Sequence, residues 1–358
     1  MSDHNQNIKA FTLLGEFITE HFQLQEEPKQ AGKYSGMHKI LNDSIEQSLE
    51  HNPWFTKKHI EHAIQAIGQM LTEQNLNLWL NQYQIIEPSE ERRIRIGVIM
   101  AGNIPAVGFH DFLCVLMSGA NFTGKLSSDD PYLLPALAKI LSAIDNSFED
   151  RIEFTSEPIA NATAIIATGS NNTLRYFEYH YSSLPHIFRN NRNGLAVLFG
   201  NETQDQLDAL AKDVFLYFGL GCRNISKLLV PVGYNFSNLI KAFEASSYVK
   251  EHEPYMNNYK HNMALYNLQQ GVFLDNGFLI LKNSTAIASP VATLNYEFYE
   301  SLDELVQNLE ECQDQIQCIV SEMKLPFATI AFGQTQQPGL EDYADGVDTI
   351  KFIADLKS

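Results

Sequence analysis

Of the side chains able to do covalent chemistry in this 358-residue chain, the four cysteines differ most by neighbourhood. Cys222 follows Gly219-Leu220-Gly221 and precedes Arg223. Two glycines let the backbone turn tightly and let a ligand approach closely. An adjacent cation favours the thiolate, which is the nucleophilic form of cysteine. The same pattern also suits a buried structural cysteine. Cys114 lies within Phe112-Leu113-Cys114-Val115-Leu116-Met117 and reads as a small core hydrophobe. Cys312 falls in register with Leu302, Leu305, Leu309, Ile316 and Ile319, on the apolar face of a helix expected over 302–323. Cys318 lies off that stripe, and nothing nearby marks it as reactive. No Cys-x-x-Cys pair or zinc-like His spacing accompanies them, and a disulfide framework is implausible for so large and apolar a chain.

Thr168-Gly169-Ser170 lies after an apolar run and before a helical one. Backbone N–H groups at a helix start attract anions, so these residues could form a phosphate-binding turn. An ordinary strand-to-helix turn with a Ser or Thr cap is the commoner explanation of such residues. The Gly-x-Gly-x-x-Gly fingerprint of dinucleotide sites is absent. Lys125, near a strand end, could reach a ribose or a phosphate, or could be a surface lysine. His110, His180 and His186 show no obvious partners. Asp129-Asp130 reads as helix-start charge rather than a metal site.

The elements that must position these residues alternate. The first ninety residues read as helices, among them the stripe Ile60, Ala63, Ile64, Ile67, Met70 and Leu71 behind Asn52-Pro53. Strands are expected at 95–100, 121–126, 152–155 and 162–167, with helices at 105–117, 131–144 and 172–181. From about Gly194 a second set follows: strands at 195–199 and 228–232, helices at 203–218 and 235–243, a hairpin around Asp275-Asn276-Gly277, and a late strand at 327–332. Strands alternating with helices predict an α/β fold on parallel sheets, with ligands bound beyond the carboxyl ends of the strands. Asn103, Lys125 and Thr168-Gly169-Ser170 would all lie there. The expected organisation is a helical region over 1–90, a dinucleotide-binding domain over 91–193 and a catalytic cysteine domain with a return segment over 194–358.

The formal charge of −18, from 43 acidic against 25 basic residues, argues against nucleic acid as a partner. No apolar run approaches the ~20 residues that a spanning helix needs. A cytoplasmic location is expected, because the first residues lack the pattern of a secretory signal.

Taken in order, these motifs resemble the aldehyde dehydrogenase superfamily, and within it the acyl-CoA reductases typified by the fatty acid reductase of bacterial luminescence. The likeness runs from about Arg95 to the C-terminus. Gly102-Asn103-Ile104-Pro105 is similar to the family's Asn-Phe-Pro element, whose Asn helps form the oxyanion hole. Lys125-Leu126-Ser127-Ser128 is similar to its Lys-Pro-Ser-Glu strand end, which contacts the cofactor ribose. Ala167-Thr168-Gly169-Ser170 matches its Phe-Thr-Gly-Ser turn, and Gly219-Leu220-Gly221-Cys222 its Gly-Gln-x-Cys nucleophile. The resemblance implies an aldehyde dehydrogenase-like fold of two parallel-sheet domains. It also implies Cys222 and Asn103 as catalytic residues, and Lys125, Ser127, Ser128, Thr168, Gly169 and Ser170 around a dinucleotide.

The departures shape the expected reaction. The water-activating Glu of the family's Glu-Leu-Gly-Gly motif has no counterpart in Asn191-Arg192-Asn193-Gly194-Leu195. The Glu of its Glu-Ile-Phe-Gly-Pro element is missing from Ala286-Ile287-Ala288-Ser289-Pro290. Oxidation to a free acid needs a base for water, whereas thioester reduction does not. The expectation is therefore reduction of an acyl-CoA thioester to a fatty aldehyde. Asn103 and a backbone N–H would hold the oxyanion. Ser128 in place of the family's Glu relieves repulsion of a 2′-phosphate, favouring NADPH over NADH. An acyl-protein synthetase that delivers the acyl group, and a homodimer, are allowed for as partners. Acyl phosphate reduction, aldehyde oxidation with a base from elsewhere, and a non-catalytic relative are the alternatives.

Overall fold

A computed structural model describes residues 3–26, 34–84, 93–169 and 171–356. The chain forms two compact units, one of Met1–Asn190 with Gly339–Ser358 and one of Asn191–Pro338.

The first unit opens with four helices, α1 (Asp3–Glu26), α2 (Ser35–His51), α3 (Lys57–Met70) and α4 (Glu73–Leu80). The stripe read from the sequence lies on α3, with Ile60, Ala63, Ile64 and Ile67 buried. Its start is set by Thr56, whose side chain accepts from the His59 N–H, rather than by Asn52-Pro53. Alternating strands and helices follow: β1 (Arg95–Ile99), α5 (Phe109–Met117), β2 (Asn121–Lys125), α6 (Leu133–Ile144), β3 (Ile152–Thr155), β4 (Ala164–Thr168), α7 (Asn171–Tyr181) and β5 (His186–Arg189). The five strands lie in the order β3-β2-β1-β4-β5, all parallel. A parallel sheet is covered on both faces, which explains why β1 and β4 are near-continuous apolar runs. Phe11 of α1 meets Phe112 and Phe148 edge-on, tying the helical region into the same core as the sheet. Helix α5 is shorter than the sequence suggests. Residues 105–108 form turns, and Ala106 takes a left-handed φ of 54° that no helix continues through.

The second unit contains β6 (Asn193–Val197), α8 (Gln204–Phe215), β7 (Ile225–Pro231), α9 (Ser237–Phe243), α10 (Glu253–Leu268), β8 (Phe273–Asp275), β9 (Ile280–Asn283), β10 (Thr293–Tyr299), α11 (Leu302–Glu311) and β11 (Ile316–Val320). Its sheet runs β11-β6-β7-β10-β9-β8, parallel except that β8 pairs antiparallel with β9 across the expected hairpin. The single helix expected over 302–323 is instead a helix, a short turn and a strand. Ile316, Ile319 and Val320 are β-branched and pair with β6, so sheet formation overrides the helical period. Cys318 is therefore a strand residue, buried on β11, and Cys312 caps the end of α11. The strand expected at 327–332 reduces to one bridge between Ile330 and Val320. The return segment ends in α12 (Thr349–Asp355), which belongs to the first unit.

Candidate active site

In the first sheet the strand order reverses direction between β1 and β4, the kind of switch point at which parallel α/β sheets bind ligands beyond the carboxyl ends of their strands. Register places Ile99 of β1 beside Lys125 of β2 and beside Ala167 of β4, so the loops that follow these strands leave the sheet side by side. Asn103 is exposed on the loop after β1. Its neighbour Gly102 lies so close to the loop after β2 that an added Cβ would sit 2.5 Å from the Ser127 hydroxyl oxygen. Asn103 and Ser127 are thus brought onto adjoining loops.

The packing of these loops follows from three side chains. Asp130 is 7% exposed, and its Oδ2 accepts the Ala106 N–H at 2.7 Å. Its Oδ1 accepts the Leu133 N–H at 3.4 Å, so it does cap a helix start as the sequence suggested, while also gripping the Asn103 loop. Burial pushes the Asp130 carboxyl above its ordinary range, against the amide hydrogen bonds that pull it down. From α2, His51 Nε2 donates to the Ser128 carbonyl at 2.6 Å and Asn52 Nδ2 to that of Asp129 at 3.1 Å. Lys125 Nζ donates to the Ser156 carbonyl at 3.0 Å. Beyond β4, Gly169 lets α7 approach closely, since a Cβ there would meet the Thr173 Cβ at 2.9 Å. Thr168 pairs with Arg189 at the strand end, and Ser170 lies outside the described residues.

Cys222 belongs to the second unit and is exposed, whereas Cys114 and Cys318 are buried. Helix α8 begins with a capping box, Thr203 and Gln206 bonding each other's backbone N–H groups, and ends at Phe215. The chain then turns through Tyr217 (φ 53°), Phe218 (φ 56°) and Gly219 (φ 76°), all left-handed. Gly219 adopts this freely, but each of the other two costs about 1–3 kcal/mol. One buried side chain, Asn224, grips the strained turn. Its Oδ1 accepts the Gly221 N–H at 2.8 Å, and its Nδ2 donates to the carbonyls of Asp213 and Leu216, both at 2.9 Å. Three hydrogen bonds at about 1 kcal/mol net each are of the size needed to offset that strain.

The residues flanking Cys222 are held too. Arg223 Nε donates to the Thr335 carbonyl at 2.6 Å, so the side chain expected to favour the thiolate is engaged by a backbone oxygen. Thr335 in turn is fixed by Asp213, whose carboxylate accepts the N–H groups of Gly333 and Thr335 and the Thr335 hydroxyl. Gly194 of β6 packs against the turn so closely that a Cβ would lie 2.6 Å from the Asn224 carbonyl oxygen. Sequence reading missed Asn224, Asp213 and Thr335, and it missed the bond from Ala106 to Asp130. Only an Asn two residues past a Gly-x-Gly-Cys hinted at the first.

His110 is partly buried on α5, where desolvation lowers its pKa. Its Nε2 lies 2.9 Å from the Leu340 carbonyl and its ring packs edge-on against Tyr343, so it is structural. Among the described residues, no cluster of three His, Cys, Asp or Glu could hold a metal ion, and no helix is long and apolar enough to cross a membrane.

No protein-family model matches this sequence, and no curated protein sequence matches it. Solved structures do match. A NAD-dependent benzaldehyde dehydrogenase from Corynebacterium glutamicum superposes with a TM-score of 0.62 at 15% identity, over 86% of this chain and 74% of that one. An aldehyde dehydrogenase from Bacillus cereus gives 0.64 at 12% identity, over 91% and 73%. Aldehyde dehydrogenase 21 from Physcomitrella patens, solved with its reaction product succinate, gives 0.66 at 11% identity, over 98% and 84%. The chain has the aldehyde dehydrogenase fold. At these identities the likeness is one of architecture.

The expectation of acyl-CoA reduction is corrected by these neighbours. They are aldehyde dehydrogenases, and the product bound to one of them is a free acid, the outcome of oxidation. With the reductase reading go its acyl-CoA substrate, its fatty aldehyde product and the acyl-protein synthetase partner. The error lay in giving a missing carboxylate too much weight. Lack of a base slows the attack of water on a thioester but does not reverse the direction of the chemistry.

Proposed function

We propose that this chain is a dinucleotide-dependent aldehyde dehydrogenase with Cys222 as its nucleophile. The observation that carries the reading is the exposed Cys222 thiol, presented on a strained and fully braced turn within the aldehyde dehydrogenase fold. The Cys222 sulfur adds as thiolate to the aldehyde carbon, and the carbonyl oxygen becomes an oxyanion. Asn103, on its braced loop, is the proposed donor to that oxyanion. A bound nicotinamide dinucleotide supplies the hydride acceptor. Water then cleaves the thioester on Cys222, releasing the acid and restoring the thiol.

The ends of β1, β2 and β4 suit a dinucleotide: they lie at a topological switch, and Gly169 lets the start of α7 pack close to the end of β4. Lys125, Ser127, Ser128, Thr168 and Gly169 are the residues proposed to hold it, with Ser170 beside them in sequence. NADP is the preferred form in this reading, since Ser128 places no carboxylate beside the ribose 2′ position.

No carboxylate occupies 191–195, and the oxygens of Asp213 are already engaged by Gly333 and Thr335. A general base contributes about 10²–10⁴ in rate, so release of the acid should limit turnover. Rapid mixing with NADP or NAD and a panel of aldehydes tests the reading. The expected trace is a burst of reduced dinucleotide stoichiometric with enzyme, then slower turnover, both lost in Cys222→Ala and larger with NADP. Dinucleotide binding without reduction by any aldehyde would sink the dehydrogenase reading in favour of a non-catalytic role.

A further inference from the structure

We infer that Asn224 is a positioning residue for the Cys222 thiol, acting by clamping both sides of the left-handed turn that presents it. This rests on the reading of Cys222 as nucleophile. Its Nδ2 holds Leu216, the residue before the left-handed run Tyr217–Gly219. Its Oδ1 holds Gly221, the residue immediately before the thiol. The Leu220 N–H donates to the Tyr217 carbonyl at 3.1 Å, a bond that starts inside the run.

The clamp is itself anchored. Asn224 is 2% exposed, its N–H donates to the Gly221 carbonyl at 3.0 Å, and its own carbonyl accepts the Gly194 N–H at 3.1 Å. The amide is therefore fixed to the second sheet on one side and to the turn on the other. A carboxamide is needed, because one end must accept from an N–H while the other donates to two carbonyls. Asp has no N–H to donate and would set a carboxylate against the Leu216 and Asp213 carbonyls. Ala leaves all three backbone partners unmet. Since Asn224 lies two residues beyond Cys222, it governs where the thiol points rather than touching the substrate.

The test compares wild type with Asn224→Asp and Asn224→Ala by three readouts. These are kcat and KM for aldehyde oxidation, the pH profile of iodoacetamide alkylation at Cys222 followed by mass spectrometry, and hydrogen exchange at the Gly221 amide in wild type. With two hydrogen bonds lost in Asn224→Asp and three in Asn224→Ala, kcat should fall about tenfold or more while KM stays within about twofold. The alkylation midpoint should move in both variants, and the wild-type Gly221 amide should exchange slowly. A folded Asn224→Asp protein with wild-type kcat and an unmoved alkylation profile would overturn the proposal. So would rapid exchange at Gly221, a measurement that stands even if both variants fail to fold. If wild type oxidises no aldehyde, the dehydrogenase reading fails alone, and alkylation and exchange still decide on the clamp.

Discussion

After β1 the chain bends through Ala106, and before β7 it bends through Tyr217 and Phe218; in each place non-glycine residues take left-handed conformations. In each place one buried side chain grips the bend. Asp130 holds the Asn103 loop with a carboxylate that only accepts, whereas Asn224 holds the Cys222 turn with an amide that accepts and donates. The partners explain the choice. Asp130 faces N–H groups from Ala106 and from the start of α6. Asn224 faces one N–H and two carbonyls, which no carboxylate could satisfy. A charged clamp brings pH dependence with it, and a neutral one does not.

The largest effect should come from the residue that the charged clamp serves. Removing one oxyanion donor costs about 10²–10³ in kcat, so Asn103→Ala should show that loss with a burst that is slowed rather than absent. A wild-type burst rate in Asn103→Ala would remove Asn103 from the chemistry and leave Asp130 as a purely structural cap.

Gly194→Ala attacks the neutral clamp from its anchor. The added methyl would meet backbone atoms of Arg223 and Asn224, which cannot swing aside as a side chain would. The cost should be about 1–3 kcal/mol, read from urea midpoints, with the loss of kcat expected for Asn224→Ala. Unchanged kcat in this variant would mean that the turn holds its shape without β6.

Asp130→Asn sharpens the contrast through pH. The folded pKa of Asp130 is raised above its ordinary 3.8, so between those two values the folded state binds more protons than the unfolded. Its contribution to stability is therefore greatest below 3.8 and declines as pH rises through the folded value. In the Asn variant that decline disappears, so the variant should gain on wild type across this window and hold a constant difference above it. Asp213 is shifted in the same direction by burial, and the variant leaves that part of the profile intact. A difference between the two proteins that does not vary with pH would show Asp130 to be unperturbed.

How far these features were legible in the sequence depends on whether they are local. The alternation of apolar runs and helical stripes gave the parallel sheets, because burial on both faces leaves a continuous apolar signature. The glycines at 169, 219 and 221 marked turns for the same local reason. The stretch 302–323 was misread because Leu305, Leu309, Ile316 and Ile319 fit a helical period, and only pairing with β6, more than a hundred residues away in sequence, makes a strand of the second half. The local role of Asp130 at the start of α6 was legible, but its grip on Ala106 and the grip of Asn224 on Asp213 and Leu216 were not, because those partners lie in other elements. The reductive expectation failed because an absent Glu in 191–195 bears on how fast water attacks, not on which way hydride moves.

Thr203→Ala yields the smallest effect and makes the comparison interpretable. Thr203 caps α8 at the end remote from the Cys222 turn, and Gln206 returns the bond to complete the box. Loss of such a cap costs about 1 kcal/mol. The helix it starts also carries Asp213, which fixes Thr335 and supplies one carbonyl to Asn224, so the two features share one element. If the turn is held by its own clamp, Thr203→Ala should lower the urea midpoint of unfolding while leaving kcat, KM and Cys222 alkylation at wild-type values. A parallel fall in kcat would mean that thiol placement tracks the stability of α8 as a whole, and the effects of Asn224 would then have to be read as part of that same loss.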